Sequence, residues 1–103
     1  MKAISISTIE KYRKNAKHDS KIPNDVLKIK LNCLIDSVRK DHILTRGNTL
    51  IYQFGNCLIY VSNNIITDIR WTDEKKYPTK DETERMTSLF LENGLDKRGK
   101  KMI

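Results

Sequence analysis

The chain has little of what usually staples or anchors a small protein. It holds two cysteines, two prolines and four glycines in 103 residues. Cys33 and Cys57 lie far apart, with no Cys-x-x-Cys and no histidine at metal-ligand spacing. That excludes a disulfide framework and a zinc site, and two buried free thiols are expected. Neither a metal nor a cofactor is predicted. No apolar run is long enough to span a bilayer; the longest uncharged run, from Gly47 up to Asp68, is broken by Asn, Gln and Thr. The start, MKAISISTIEKYRKNAKHDSK, contains no apolar core of signal-peptide length. A cytoplasmic protein without membrane contact is therefore expected. Signatures of catalysis are missing too. There is no Gly-rich phosphate loop, no G-x-S-x-G, no HExxH and no close carboxylate pair on a helix.

What is present is charge. Hydrophobic residues make up 38% and charged ones 32%, which suits one globular domain and not a disordered chain. The net charge is +7 and unevenly placed. Residues 1–46 carry 11 basic and 5 acidic side chains, residues 72–96 carry 4 and 7, and the last seven hold the KRGKK cluster. The basic groups of the first helix (Lys11, Arg13, Lys14, Lys17) and of the tail (Lys97, Arg98, Lys100, Lys101) are candidate nucleic-acid contacts, because clustered cations release counterions from phosphates. The same pattern suits an acidic protein partner, and it suits a solvated basic surface with no partner.

The periodicities predict an α+β domain over residues 1–96, with 97–103 as a flexible basic tail. KAISI alternates like a short strand. Ser7-x-x-Glu10 reads as a capping box opening a helix to about Lys17, with Ile9, Tyr12 and Ala16 on its apolar side. Pro23-Asn24-Asp25 starts a second, broadly apolar helix through Leu27, Leu31, Leu34, Ile35 and Val38. A sheet of three to four strands in an antiparallel meander follows. Ile43–Arg46 is one strand, and turns at Gly55-Asn56 and Asn63-Asn64 join the others. Two-residue turns fix a register in which Leu50, Tyr52, Phe54, Cys57, Ile59 and Val61 share one face. An unbulged third strand adds Ile66, Asp68 and Arg70 to that face, and a one-residue bulge swaps its assignments. Thr79-x-x-Glu82 caps a C-terminal helix, which Gly94-Leu95 ends in a Schellman stop.

The chemical candidates are scattered. His42 with Arg46, Tyr52 and Arg70 is the set that fits metal-independent RNA cleavage. That reaction needs a base, an acid and cations for the phosphate charge. Single loop histidines are more often plain surface, and Asp68 with Arg70 reads most simply as a same-face pair. The helix–helix–sheet order and GNTLIYQFGNCLIYVSNNIITDIRW resemble the small ribonuclease toxins of the RelE, barnase and colicin D type, over roughly Ser7 to Trp71. The resemblance implies catalytic residues on the sheet, or an inactive, binding-only relative; the strands here carry no histidine. Two readings stand side by side. One is a non-enzymatic interaction protein: an inhibitor, antitoxin or immunity-type factor of the kind carried by phages and mobile elements. It would bind a protein target through Tyr52, Phe54, Asp68, Arg70 and Trp71, with a homodimer as a further form. The other is an RNA-binding or ribonuclease toxin.

Overall fold

The computed structural model describes residues 1–102; Ile103, the last residue of the predicted tail, lies outside them. The order is β1 (Ala3–Ile4), α1 (Ile6–Asn15), α2 (Asn24–Ser37), β2 (Leu44–Arg46), β3 (Thr49–Ser62), β4 (Ile65–Lys76) and α3 (Lys80–Glu92), with 3-10 turns at Lys17–Asp19 and Lys40–His42. The sheet runs β1-β4-β3-β2. It is mixed and not a pure antiparallel meander, because β1 pairs in parallel with β4 through Ala3–Ile65 and Ile4–Ile66. The antiparallel part holds from β2 through β4.

β3 is one continuous run that turns back on itself. Fourteen extended residues would span about 45 Å, yet the Thr49 and Ser62 hydroxyls lie 2.8 Å apart. The reversal sits at Gly55-Asn56, where Gly55 takes φ +57. Only glycine adopts that conformation without strain, as the first centre of a type II′ turn. The predicted hairpin therefore forms, with Tyr52 facing Ile59 and Ile51 facing Tyr60. The second turn has Asn63 at φ 50 and Asn64 at φ 63, both left-handed as a type I′ turn requires.

The third strand departs from the unbulged register. Tyr60 pairs with Asp68 but Val61 with Ile66, which leaves Thr67 as an extra residue. The bulge turns Ile69 and Trp71 to the Tyr52 side and sends Asp68 and Arg70 to the other. The physical reason is apolar burial. Without the bulge only one of Ile66 and Ile69 faces the helices; with it both do, at 1% and 0% exposure.

The helices pack on this inner face. α1 packs on β4, α2 on β3, and α3 on α2. α2 therefore has an apolar neighbour on two sides, which explains its wide buried arc of Leu27, Leu31, Cys33 and Ile35. Phe90 of α3 and Leu95 beyond it complete the core. The helix starts differ from expectation at one end. Ser5, not Ser7, caps α1, its Oγ accepting from the Thr8 N–H at 3.2 Å. Starting at Ile6 buries Thr8, Ile9 and Tyr12. Thr79 and Glu82 form the predicted capping box of α3.

The described residues of the predicted tail form a turn. The Asp96 carboxylate accepts from the Arg98 and Lys100 N–H groups, and Leu95 bridges to Lys101. Gly99, at φ +77, lies so close to the Lys30 stem that a Cβ there would stand 2.9 Å from it. The turn is thus docked on α2.

Candidate functional site

Three regions carry the polar chemistry. The first is the outer sheet face, which no helix covers. Its apolar side chains are buried Ile51 and partly open Leu58 and Tyr60, flanked by Leu44 at 56% and Ile65 at 46% exposure. Asp68 sits opposite Tyr60 and Arg70 opposite Leu58. The Arg70 guanidinium lies 5.1 Å from the Tyr60 ring centre, a cation–π distance. Asp68 accepts from Lys11 Nζ at 2.6 Å and from Arg70 Nε at 2.9 Å. Partial burial raises its pKa, but these two cations and the Ile69 N–H outweigh that and lower it.

The second region is a cleft at the Gly55-Asn56 end of the inner face. Its volume is about 320 Å³, and its walls include Tyr12, Phe54, Cys57, Trp71, Lys30 and His18. The Tyr12 and Trp71 rings stack with centroids 6.1 Å apart. Behind them, buried Asp19 accepts from Tyr12 OH at 2.5 Å and from Lys30 Nζ at 2.7 Å. Burial, and then the bond to Asp19, push the Tyr12 phenol far up. Burial alone lifts the Cys57 thiol to about 12, so it is an inert wall and no nucleophile. Asp19 Oδ1 and Trp71 Nε1 are buried with no hydrogen-bond partner among the described residues. A basic cleft of about 400 Å³ adjoins it across His18, walled by Lys17, Lys21, Lys100 and Lys101.

The third region is a clamp. Glu82 Oε2 accepts from the Arg39 N–H at 2.9 Å and lies 3.0 Å from His42 Nδ1, while Oε1 accepts from the Thr79 N–H. Burial pushes this carboxyl up. The Thr79, Arg39 and His42 hydrogen bonds outweigh it and hold it at about 2. His42 thereby ties the 3-10 turn after α2 to the start of α3.

The predicted catalytic set does not converge. Tyr52 is 5% exposed and faces the core, whereas Arg70 lies on the outer face. His42 is held by Glu82, and Arg46 is exposed on β2 at the far edge. The predicted partner-binding set also divides. Asp68 and Arg70 lie outside, Tyr52 is in the core, and Phe54 and Trp71 line the inner cleft. Of the predicted nucleic-acid contacts, Lys17, Lys100 and Lys101 share one cleft. Lys11 is engaged by Asp68. Arg13 donates to the Ser20 carbonyl at 2.9 Å and to Asn24, closing the loop after α1. Lys14, Lys97 and Arg98 are exposed.

Asp19, Lys30 and Lys21 were outside every sequence-based set. The sequence does place Asp19 and Lys21 beside His18 in one polar stretch, HDSK. Nothing in it marks Lys30 as buried. Among the described residues no helix is long and apolar enough to cross a membrane. Comparison with protein-family models, curated proteins and solved structures finds no match to this chain.

Proposed function

We propose that this chain is a non-enzymatic interaction module that docks a protein target on its outer sheet face, in the manner of an inhibitor, antitoxin or immunity-type factor. The observation that carries this reading is the partly open pair Leu58 and Tyr60, beside buried Ile51 and between exposed Leu44 and Ile65. A sheet needs a layer on each apolar face, and the helices supply only one. Arg46 and Arg70 stand on that face with Asp68, which Lys11 also reaches from α1, so the fitting partner is an acidic protein with an apolar centre. A second copy fits less well, because two chains of +7 would bring like-charged rims together.

Leu58→Asp and Arg70→Glu, both on the outer face, test the reading. Protein captured from the native host by the wild-type chain should be acidic, and each variant should lose it while keeping the wild-type unfolding curve. Capture that survives both variants overturns the reading. So does a wild-type dimer in sedimentation that Leu58→Asp dissolves, because it gives the face to a second copy.

A further inference from the structure

We propose that the inner cleft and the basic cleft together form a binding site for single-stranded nucleic acid, independent of the outer face. One unstacked base would occupy the aromatic cleft, and the adjoining phosphates the lysine cleft. Four observations meet at this place. The aromatic cleft, with Phe54 and Trp71 half-buried in its walls, has the size of a small-molecule pocket. Aromatic walls accept any base, since every base has a π-face. Trp71 Nε1–H has no hydrogen-bond partner among the described residues, which leaves an unsatisfied donor in the cleft's aromatic wall. His18 is common to both walls, so the two clefts are neighbours on either side of its ring.

The fourth observation is that the cationic wall is constructed. Lys100 and Lys101 come from the far end of the chain. They reach Lys17 and Lys21 only because Asp96 closes the terminal turn and Gly99 seats it on Lys30. The same Lys30 spans from that seat to Asp19 behind the aromatic cleft. A frayed tail would leave its charges dispersed; this one brings them to the rim of an aromatic pocket. A duplex does not fit, because its bases are stacked and paired and only the lysines would engage. An acidic peptide would meet the lysines but leave the aromatic cleft without a flat partner.

Trp71 is the sole tryptophan of the chain, so its emission reports on the site directly. The full chain is titrated with a short oligouridylate, the same length of duplex RNA, the matching DNA single strand, heparin and an acidic peptide. The expected result is quenching of Trp71 by the single strands, with binding at least tenfold tighter than to the duplex. Log K should fall against log salt with a slope of about −0.7 per phosphate neutralised. Lys100→Glu with Lys101→Glu should weaken binding at least tenfold and flatten that slope. Phe54→Leu should weaken it several-fold and leave the slope unchanged. Leu58→Asp, on the outer face, should change nothing, which separates this site from the docking surface. RNA bound in preference to DNA, or the reverse, identifies the strand and supports the site either way. Quenching by heparin or the acidic peptide as strong as by the oligonucleotide overturns the proposal. So does binding without quenching that Phe54→Leu leaves untouched, since charge alone would then account for it.

Discussion

The two faces of the sheet are cut from the same strands and end in opposite conditions. β4 supplies Ile66, Ile69 and Trp71 to the inner face and Asp68 and Arg70 to the outer. On the inside Ile59 and Ile69 are fully buried beneath helices. On the outside Leu58 and Tyr60 remain partly open, and an arginine over a ring stands where a helix would. The difference comes from one bulge. The run IITDIRW does not alternate cleanly, and the extra residue at Thr67 puts Ile66, Ile69 and Trp71 on one side and Asp68 and Arg70 on the other. Leu58, Tyr60 and Ile65, left partly open after that sorting, are a candidate surface for recognition.

The largest effect that distinguishes the two sides is expected at the buried ion pair under the inner face. Lys30→Met removes the ammonium from a carboxylate with no exposed surface. The loss should be about 3–5 kcal/mol, because Asp19 is left as an uncompensated buried charge. Adding Asp19→Asn to the variant should restore much of it. Urea denaturation reads both. A loss under about 1 kcal/mol would place this pair among solvated surface pairs and erase the contrast.

Next in size is the apolar comparison itself. Ile69→Ala should cost about 2–5 kcal/mol as a core truncation, while Leu58→Ala, on the outer face of the neighbouring strand, should cost about 1 kcal/mol or less. Equal losses by denaturant midpoint would show that the outer strip is packed as a core and needs no partner.

Much of this arrangement was legible in the chain. The Gly55-Asn56 and Asn63-Asn64 turns were readable because two-residue hairpins demand left-handed centres, and the capping box at Thr79 because its hydrogen bonds are local. The bulge was open as an alternative for the third strand, but its presence and position were not readable, since period-2 reading assumes an unbroken ladder. Ile66 and Ile69 at a spacing of three inside a strand were the available signal. Ser5 displaced Ser7 as the cap because β1 delivers the chain at Ile4, and tertiary burial of Ile9 and Tyr12 sets where the helix begins. A run of lysines suggests a flexible tail. Asp96-Lys-Arg-Gly99, with Asp opening and Gly closing a turn, was present to say otherwise. The inner cleft is invisible in sequence. Tyr12, Lys30 and Trp71 meet only once α1, α2 and β4 have packed.

The Glu82 clamp gives a smaller, pH-dependent effect away from both faces. Its folded value of about 2 lies below the ordinary 4.5, so folding favours the ionised form. The contribution is present above about pH 4.5 and is lost as pH falls toward 2, on the order of 2 kcal/mol in all. Glu82→Gln should lower stability at neutral pH by about that much. It should also flatten the acid limb of stability against pH. An unchanged acid limb would mean that the carboxyl is not held by Thr79, Arg39 and His42 as the geometry requires.

The smallest effect on stability belongs to the outer face. Asp68→Asn removes the 2.6 Å contact to Lys11 and the 2.9 Å contact to Arg70. Both partners are largely exposed, so the change in unfolding free energy should stay within about 1 kcal/mol and shrink with added salt. Binding should respond in the opposite sense. With Asp68 neutral, Arg70 and Lys11 face solvent without their acidic neighbour, and an acidic partner should associate faster at low salt. A variant that loses several kcal/mol would make the Lys11–Asp68–Arg70 row a structural strap that holds α1 against β4. A variant of unchanged stability and faster, salt-sensitive association would assign the row to recognition, where the bulge at Thr67 has put it.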